Sequence, residues 1–377
     1  MVLSGLLLGA LLGYLLQRSR FCVTGAFRDL AMTRSTRYFT PFMVAVAIQG
    51  VGVAALTGAG LLTPQAETFA PLAVVVGGLL FGIGIVMAGG CATGTYYRAG
   101  EGLIGSWAAL GTYALTAAIM KFGPLGGVTK ELRAQTIGDA TVQDSLGVSI
   151  WVPVTVLVMA VGALVVRDVR RERAARAARP TVGVRLPARR SGLGHWLADV
   201  PWSPWVGGIG LGVLAILAWV LSTASGRNGG LGITTPSAKI VAFLVTGEAS
   251  MIDWGVMLVL GILVGAHAAA RLSGEFRWRV PDAATMVRSA AGGVVMGVGA
   301  SLAGGCTIGN ALVETSLFSY QGWASLVTMI LGTWIGARVF LTRPRRTGAT
   351  PAPMAVPSAE TGAEVPASRP VELTPVG

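Results

Sequence analysis

Long apolar segments separated by short polar ones run through most of this chain. A helix needs around 20 residues to cross about 30 Å of hydrocarbon, so each such segment is a candidate membrane span. The candidates are nine in number: 2–17, 41–63, 72–90, 103–120, 149–166, 205–223, 254–272, 286–303 and 322–342. Several are short, which is typical of broken or re-entrant helices as well as of full crossings. The pattern predicts an all-α polytopic membrane protein with about nine transmembrane helices and additional short re-entrant half-helices.

One glycine-rich string occurs twice in the chain. Residues 88–94 read AGGCATG, and residues 303–309 read AGGCTIG. Four glycines upstream recur at the same spacing, so that Gly77, Gly78, Gly82 and Gly84 return as Gly292, Gly293, Gly297 and Gly299. Such duplication is typical of transporters built from two related halves around a site near the midplane. Counting the spans, the first string is entered from outside and the second from inside, which predicts inverted repeats.

The polar stretches divide the chain into four parts. Residues 167–203 are rich in Arg, Ala and Pro, and they predict a cytoplasmic linker between a first transmembrane half, 1–166, and a second, 204–343. Residues 344–377 are rich in Pro, Ala, Thr and Glu and lack apolar periodicity, which predicts a disordered tail.

The charge pattern indicates a membrane topology. The chain has a net charge of +12 but only 12% charged residues, against about 25% in soluble domains. The basic residues lie between the apolar segments, with nine arginines from Arg167 to Arg190 alone. They do not form the basic face of a nucleic-acid-binding protein, so the expected surroundings are a lipid bilayer and no nucleic acid. The positive-inside rule places the arginine loops in the cytoplasm, with the N-terminus outside and the C-terminus cytoplasmic.

Each AGGC string predicts a helix break inside the membrane. Glycine permits the turn, and the backbone amides that it frees survive only where they are buried in protein or line a wet cavity. Amides at the start of the following half-helix lie at the positive end of its dipole and can bind an anion. The candidates are the amides of Thr93, Gly94, Ile308 and Gly309. The alternative interpretation is that both strings are tight packing turns.

The three cysteines are the candidate chemical groups. Their separation does not indicate a disulfide framework, and the two histidines are not at metal-ligand spacing, so we expect no metal and no other cofactor. A free cysteine often serves only as a small buried apolar residue. The recurrence of Cys91 as Cys306 favours a function instead. A neutral thiol can contact a sulfur-bearing anion without trapping it, whereas Cys22 has no repeat partner and its role is open.

The segment after Cys91 carries two charged residues. Arg98 and Glu101 lie three residues apart, so an ion pair between them would stabilise the turn. Alternatively, Arg98 adds positive potential for an anion. We interpret both as supporting residues of an anion-binding site.

Four motifs are more specific than hydropathy: QRSRFCVTGAFRD (17–29), MAGGCATGTYYRAGEGLIGSW (87–107), GLGITTP (230–236) and LAGGCTIGNALV (302–313). In these motifs the chain resembles the YeeE/YedE family of bacterial inner-membrane sulfur transporters, and within it the thiosulfate-importing branch. The resemblance implies nine spans plus short re-entrant helices, whose two halves pinch an hourglass-like cavity. It further implies that Cys22, Cys91 and Cys306 line the route and pass thiosulfate between neutral thiols by S–H hydrogen bonding. A small cytoplasmic TusA-like sulfur carrier protein is the partner that it implies.

The expected function is therefore thiosulfate uptake across a bacterial inner membrane by a transporter, not an enzyme. Two alternatives stay open. A membrane sulfurtransferase would take the sulfane sulfur as a cysteine persulfide, and it would need a cation such as Arg98 or Arg20 beside the thiol. A transporter of this kind could also carry another sulfur or selenium oxyanion.

Overall fold

The computed structural model describes residues 2–177 and 192–341, which are helical almost throughout. The first part contains α1 (Val2–Ser19), α2 (Val23–Met32), α3 (Phe39–Gly58), α4 (Pro71–Ala88), α5 (Ala92–Gly100), α6 (Ile104–Lys121), α7 (Gly126–Ala134), α8 (Val142–Leu146) and α9 (Trp151–Ala177). The second contains α10 (Pro204–Ala224), α11 (Thr234–Thr246), α12 (Trp254–Leu272), α13 (Ala283–Leu302), the π-helical α14 (Thr307–Glu314) and α15 (Tyr320–Phe340). Short helical turns lie at 192–199 and at Ala249–Met251.

Eight helical stretches of the described residues are long and apolar enough to cross a membrane. They overlap eight of the nine predicted spans, of which 41–63, 149–166 and 322–342 extend a few residues beyond the helix. The remaining predicted span, 103–120, is α6, which has 18 residues but is less apolar and packs between α11 and α13. The predicted linker 167–203 begins as the last turns of α9, while residues 178–191 and the predicted tail 344–377 lie outside the described residues.

The two halves repeat the same order of helices, because α1–α6 correspond to α10–α15. The packing follows this correspondence: α1 packs on α12 as α10 packs on α3, and α4 packs on α15 as α13 packs on α6. Likewise, α2 packs on α15 as α11 packs on α6. The repeat detected around the AGGC strings therefore extends over six helices of each half.

Glycine contacts show that the halves are inverted. Gly77 of α4 abuts Gly299 of α13, while Gly84, one turn pair further along α4, abuts Gly292. These two equivalent helices are therefore antiparallel. A Cβ at any of these positions would overlap the opposite backbone, so glycine allows the two helices to approach closely. The inverted arrangement predicted from the sequence is confirmed.

The outer face of the bundle is apolar. Large aliphatic side chains are exposed along α1 and α9, among them Leu3, Leu7, Val156 and Met159. In water such a surface would be unfavourable, but it suits contact with lipid. The interior instead holds fully buried polar side chains such as Gln49 and Thr333, together with all three cysteines.

Candidate functional site

All three cysteines occupy the same local position, immediately before the first residue of a short helix. Cys22 precedes α2, Cys91 precedes α5 and Cys306 precedes α14, each with extended backbone. The first amides of a helix have no partner within it and carry the positive end of its dipole. Each thiol therefore lies at the amide end of a half-helix, and all three are free and buried.

The Cys22 and Cys91 thiols meet at Gly94. A methyl group on Gly94 would lie 3.5 Å from Cys91 Sγ and 3.9 Å from Cys22 Sγ. Both sulfurs therefore lie within van der Waals contact of the position that a side chain at Gly94 would occupy. Cys306 is near enough to Cys91 to interact with it electrostatically, so the three thiols form one series.

Of the backbone amides predicted to bind an anion, only some are free of other hydrogen bonds. The Gly94 N–H donates to Cys91 Sγ at 3.4 Å, so the thiol itself uses this amide as a helix cap. Cys306 makes no such bond, and Gly309 in the first turn of α14 borders an open cavity. Thr93 and Ile308 are buried, with 3% and 1% of their surface exposed.

A threonine accompanies each thiol. The hydroxyls of Thr24, Thr93 and Thr307 are buried, and those of Thr24 and Thr93 have no hydrogen-bond partner among the described residues. The side chain of Thr307 lies beside the Cys91 thiol, which connects the first repeat with the second. A buried hydroxyl without a partner costs free energy, which an anion accepting its hydrogen bond would recover.

Each helix break is held by a side chain from the half-helix that follows it. The Arg98 guanidinium donates to the carbonyl oxygen of Gly89, which has a left-handed φ of 76°. In the second repeat Asn310 Nδ2 donates to the carbonyl oxygens of Ala303 and Gly305, at 2.7 and 3.2 Å. Carbonyl oxygens at both breaks thus accept hydrogen bonds from side chains of the protein, although the Gly89 carbonyl is exposed and those of Ala303 and Gly305 are buried.

The interpretation of Arg98 and Glu101 as an ion pair is wrong. Arg98 Nη2 instead lies 3.7 Å from Cys22 Sγ, whereas the carboxylate of Glu101 pairs with Arg20 at 3.2 Å and with Arg279 at 3.7 Å. The reason is a backbone pairing between residues 101–104 and 277–279, which brings Arg279 to Glu101. Helix α5 ends at Gly100, so the two residues do not share a helix face.

Glu101 is the buried centre of an ionic cluster at the Cys22 end of the series, whose other charged members are exposed (Arg20 and Arg279) or half-buried (Glu275). Arg20 also bonds Glu275 at 2.8 Å, and Gln17 donates to the same carboxylate at 2.7 Å. Burial raises the pKa of Glu101 above its ordinary value, although Arg20 and Arg279 oppose the shift. The cluster covers the cysteine series at this end.

A cavity of about 210 Å³ borders Cys306 at the other end. Its walls come from residues 227–236, from the start of α14 and from Gln65 and Glu67. The lining includes neither Cys22 nor Cys91, so the hourglass-like shape implied by the resemblance stays a prediction. The cavity gives access to one thiol of the three.

Several residues of this site were not predicted from the sequence. Trp219 and Arg227 line the cavity, and Asn310 supports the second break. The signal that could have found two of them is the GLGITTP motif at 230–236, which contributes a cavity wall next to both. Asn310 follows Cys306 within the quoted LAGGCTIGNALV motif.

Comparisons with known proteins agree with this site. The sulphur transport family matches residues 18–335. The thiosulfate transporter TsuA of Escherichia coli (strain K12) is 48% identical over 346 residues, covering 92% of this chain and 96% of the relative. TsuA of Spirochaeta thermophila is 30% identical over 357 residues, covering 91% and 100%. The probable transporter YedE of Escherichia coli (strain K12) is 40% identical over 102 residues, covering 27% and 25%. The chain is therefore a multi-pass membrane protein that belongs to the sulphur transport family.

Proposed function

We propose that this protein imports thiosulfate across a bacterial inner membrane by passing the anion along Cys306, Cys91 and Cys22. The observation that carries the proposal is the series of three free thiols, each at the start of a half-helix in two inverted repeats. The names of the two TsuA relatives support thiosulfate as the substrate.

The positions of the arginines support a direction of travel. Arg20 and Arg279 lie with Glu101 at the Cys22 end, and Arg34, Arg37 and Arg171 border a common groove. The positive-inside rule assigns such a basic end to the cytoplasm. The cavity at Cys306 then faces outside, so that Cys306 receives the anion first and Cys22 releases it, in reach of a cytoplasmic TusA-like carrier.

The environment of the thiols supports weak, successive binding. Thiosulfate carries two negative charges, and its bare entry into hydrocarbon would be prohibitive. Half-helix amides, the hydroxyls of Thr24, Thr93 and Thr307 and the neutral thiols all donate hydrogen bonds without a full charge. A chain of such donors binds the anion weakly enough to release it, which conduction requires.

Uptake of radiolabelled thiosulfate into proteoliposomes tests this function directly. The intact protein should accumulate label, and the Cys306→Ala variant, inserted at the same level, should not. Running the assay with and without an ion gradient identifies the energy source. Full uptake by Cys306→Ala would contradict the relay, while the absence of uptake by the intact protein would contradict the function itself.

One contact favours a second candidate, a membrane sulfurtransferase. Arg98 Nη2 lies 3.7 Å from Cys22 Sγ, and a neighbouring cation promotes the thiolate. The Cys22 thiolate would attack the sulfane sulfur, forming a persulfide and releasing sulfite, which takes the electron pair of the broken S–S bond. Intact-mass analysis after exposure to thiosulfate separates the two functions, because only the sulfurtransferase gains the mass of one sulfur atom. Competition by sulfite, sulfate and selenite tests transport of another oxyanion.

A further inference from the structure

Two residues that line the cavity at Cys306 each carry a buried hydrogen-bond donor without an acceptor among the described residues. The donors are the indole Nε1 of Trp219, near the end of α10, and Nη1 of Arg227, in the connection from α10 to α11. Neither residue belongs to the thiol series or to the two helix breaks. Buried donors are ordinarily satisfied, so two of them beside one cavity indicate that a ligand supplies their acceptors.

A glycine lies against the indole N–H of Trp219. Trp219 is only 2% exposed, and a methyl group on Gly230 would lie 2.7 Å from its Nε1 and 3.0 Å from Val313 of α14. Any side chain at position 230 would therefore cover the indole nitrogen. Because Val313 belongs to the half-helix that Cys306 begins, this donor lies on the same side of the cavity as the thiol's own helix.

Among the described residues, no acid lies within ion-pair distance of Arg227. Asp253 is close enough to act on it electrostatically, but Asp253 already accepts from Lys239 Nζ at 2.7 Å and from the Val256 N–H at 2.9 Å. The guanidinium instead lies over the Trp254 ring, 6.0 Å from its centroid. Its Nη1 lies beside Gly255 and its Nη2 beside Gly232, and a methyl group on either glycine would be 3.4 Å away.

Two acids also border the cavity, and both are occupied. Glu67 pairs with Arg133 at 2.7 Å, and the carboxylate of Glu314 accepts the backbone N–H of Glu67 at 3.2 Å. Among the described residues that line the cavity, the buried side-chain donors without an acceptor are therefore those of Trp219 and Arg227.

We propose that Trp219 and Arg227 form an oxyanion subsite, which holds the three oxygens of thiosulfate while its terminal sulfur faces Cys306. This inference rests on the proposed function and adds the orientation of the substrate. N–H donors match oxygen, and the planar guanidinium can bond two oxygens of one group, which makes arginine suited to oxyanions. The polarisable thiol at the base of the cavity matches the terminal sulfur.

With this subsite, an oxyanion can bind in the cavity without being transported. Sulfate presents the same oxygens as thiosulfate but lacks the terminal sulfur. It should therefore compete for Trp219 and Arg227 without being handed to Cys306. Sulfate is expected to inhibit thiosulfate uptake competitively and not to enter the liposomes itself.

The test compares initial rates of thiosulfate uptake in proteoliposomes for Trp219→Phe and Arg227→Gln. Each variant removes a buried hydrogen bond to an anion, so KM should rise about tenfold or more while the maximal rate stays within about twofold. The inhibition constant of sulfate should rise in parallel. Trp205→Phe and Arg171→Gln, at the opposite end of the bundle, are the matched controls and should keep the KM of the intact protein.

A third variant protects the test against misfolding. Gly230→Ala keeps both donors but places a methyl group against the indole nitrogen, and it should raise KM as Trp219→Phe does. An unchanged KM in Trp219→Phe and Gly230→Ala, with normal uptake by the intact protein, would overturn the subsite and leave the proposed function standing. Absence of uptake by the intact protein would instead overturn the proposed function.

Discussion

The Cys91 thiol accepts a hydrogen bond from the backbone N–H of Gly94, with 3.4 Å between sulfur and nitrogen. The sulfur that we propose to carry substrate is thus also the cap of α5. A capping group satisfies one of the four free amides at a helix start, so Cys91 has a structural role as well as a proposed transport role. Substitutions at Cys91 and at Gly94 can separate the structural role from the transport role.

Cys91→Ser is expected to keep the fold and lose transport. Serine is among the best helix caps, so the free energy of unfolding should change by no more than about 1 kcal/mol. The hydroxyl is smaller and less polarisable than the thiol and should not receive the terminal sulfur of thiosulfate. Thermal unfolding and uptake are measured on the same preparation, with Cys91→Ala as the variant that loses both the cap and the sulfur. Uptake by Cys91→Ser equal to that of the intact protein would show that sulfur is not needed at this position.

Gly94→Ala should bring a methyl group against the Cys91 and Cys22 thiols. Its methyl group would contact Cys91 Sγ at 3.5 Å and Cys22 Sγ at 3.9 Å, so the fold should tolerate it while the passage narrows. We expect uptake to fall about tenfold, which corresponds to about 1.4 kcal/mol on the barrier. Gly162→Ala, where a methyl group meets open space, is the matched control. Equal rates for the two alanine variants would place the passage elsewhere.

Arg98→Lys should impair uptake although it keeps the charge. The guanidinium reaches both the Gly89 carbonyl oxygen and Cys22 Sγ, and a single ammonium group cannot reproduce this fork. Loss of the bond to the exposed carbonyl of Gly89 should cost about 1 kcal/mol of stability. Differential scanning fluorimetry and uptake measure the two effects. Arg277→Lys, in the connection before α13, is the control, and identical behaviour of the two lysine variants would contradict the role of Arg98.

Glu101→Gln should flatten the pH dependence of stability. Burial raises the pKa of Glu101 in the folded state, although Arg20 and Arg279 oppose the shift, so the folded protein binds this proton more tightly than the unfolded chain does. The corresponding stability is present below the unfolded pKa of about 4.5 and is lost as pH rises through the folded value. Apparent melting temperatures from pH 4 to pH 8 should therefore decline less in Glu101→Gln than in the intact protein. Parallel pH profiles would show that Glu101 titrates as it does in the unfolded chain.

The spans and the helix breaks could be predicted from the sequence because both depend on local patterns. Apolar length predicts a crossing, and AGGC after an apolar run predicts a turn followed by free amides. A half-helix also follows Cys22, but its counterpart in the second half, α11, begins after Ile233 and carries no thiol. This loss of the cysteine in one repeat hid the correspondence in sequence.

The partners of the charged residues could not be predicted, because distant segments determine them. Spacing along the chain suggested Arg98 for Glu101, but the backbone pairing of residues 101–104 with 277–279 delivers Arg279 instead. Trp219 and Arg227 share a cavity wall only because the connection after α10 folds over the start of α14. Such convergence leaves no periodicity in the sequence.

The packing of α1 has a consequence for biogenesis. Gly5, Gly9 and Gly13 seat this helix on the backbone of Trp254, Leu258 and Ile262 in α12. Helix α1 thus meets its main neighbour only after the helices between them, α2 to α11, have been synthesised. Until then the face of α1 that carries Gly5, Gly9 and Gly13 is in contact with lipid. A chaperone of membrane insertion or a transient neighbouring helix would have to cover this face.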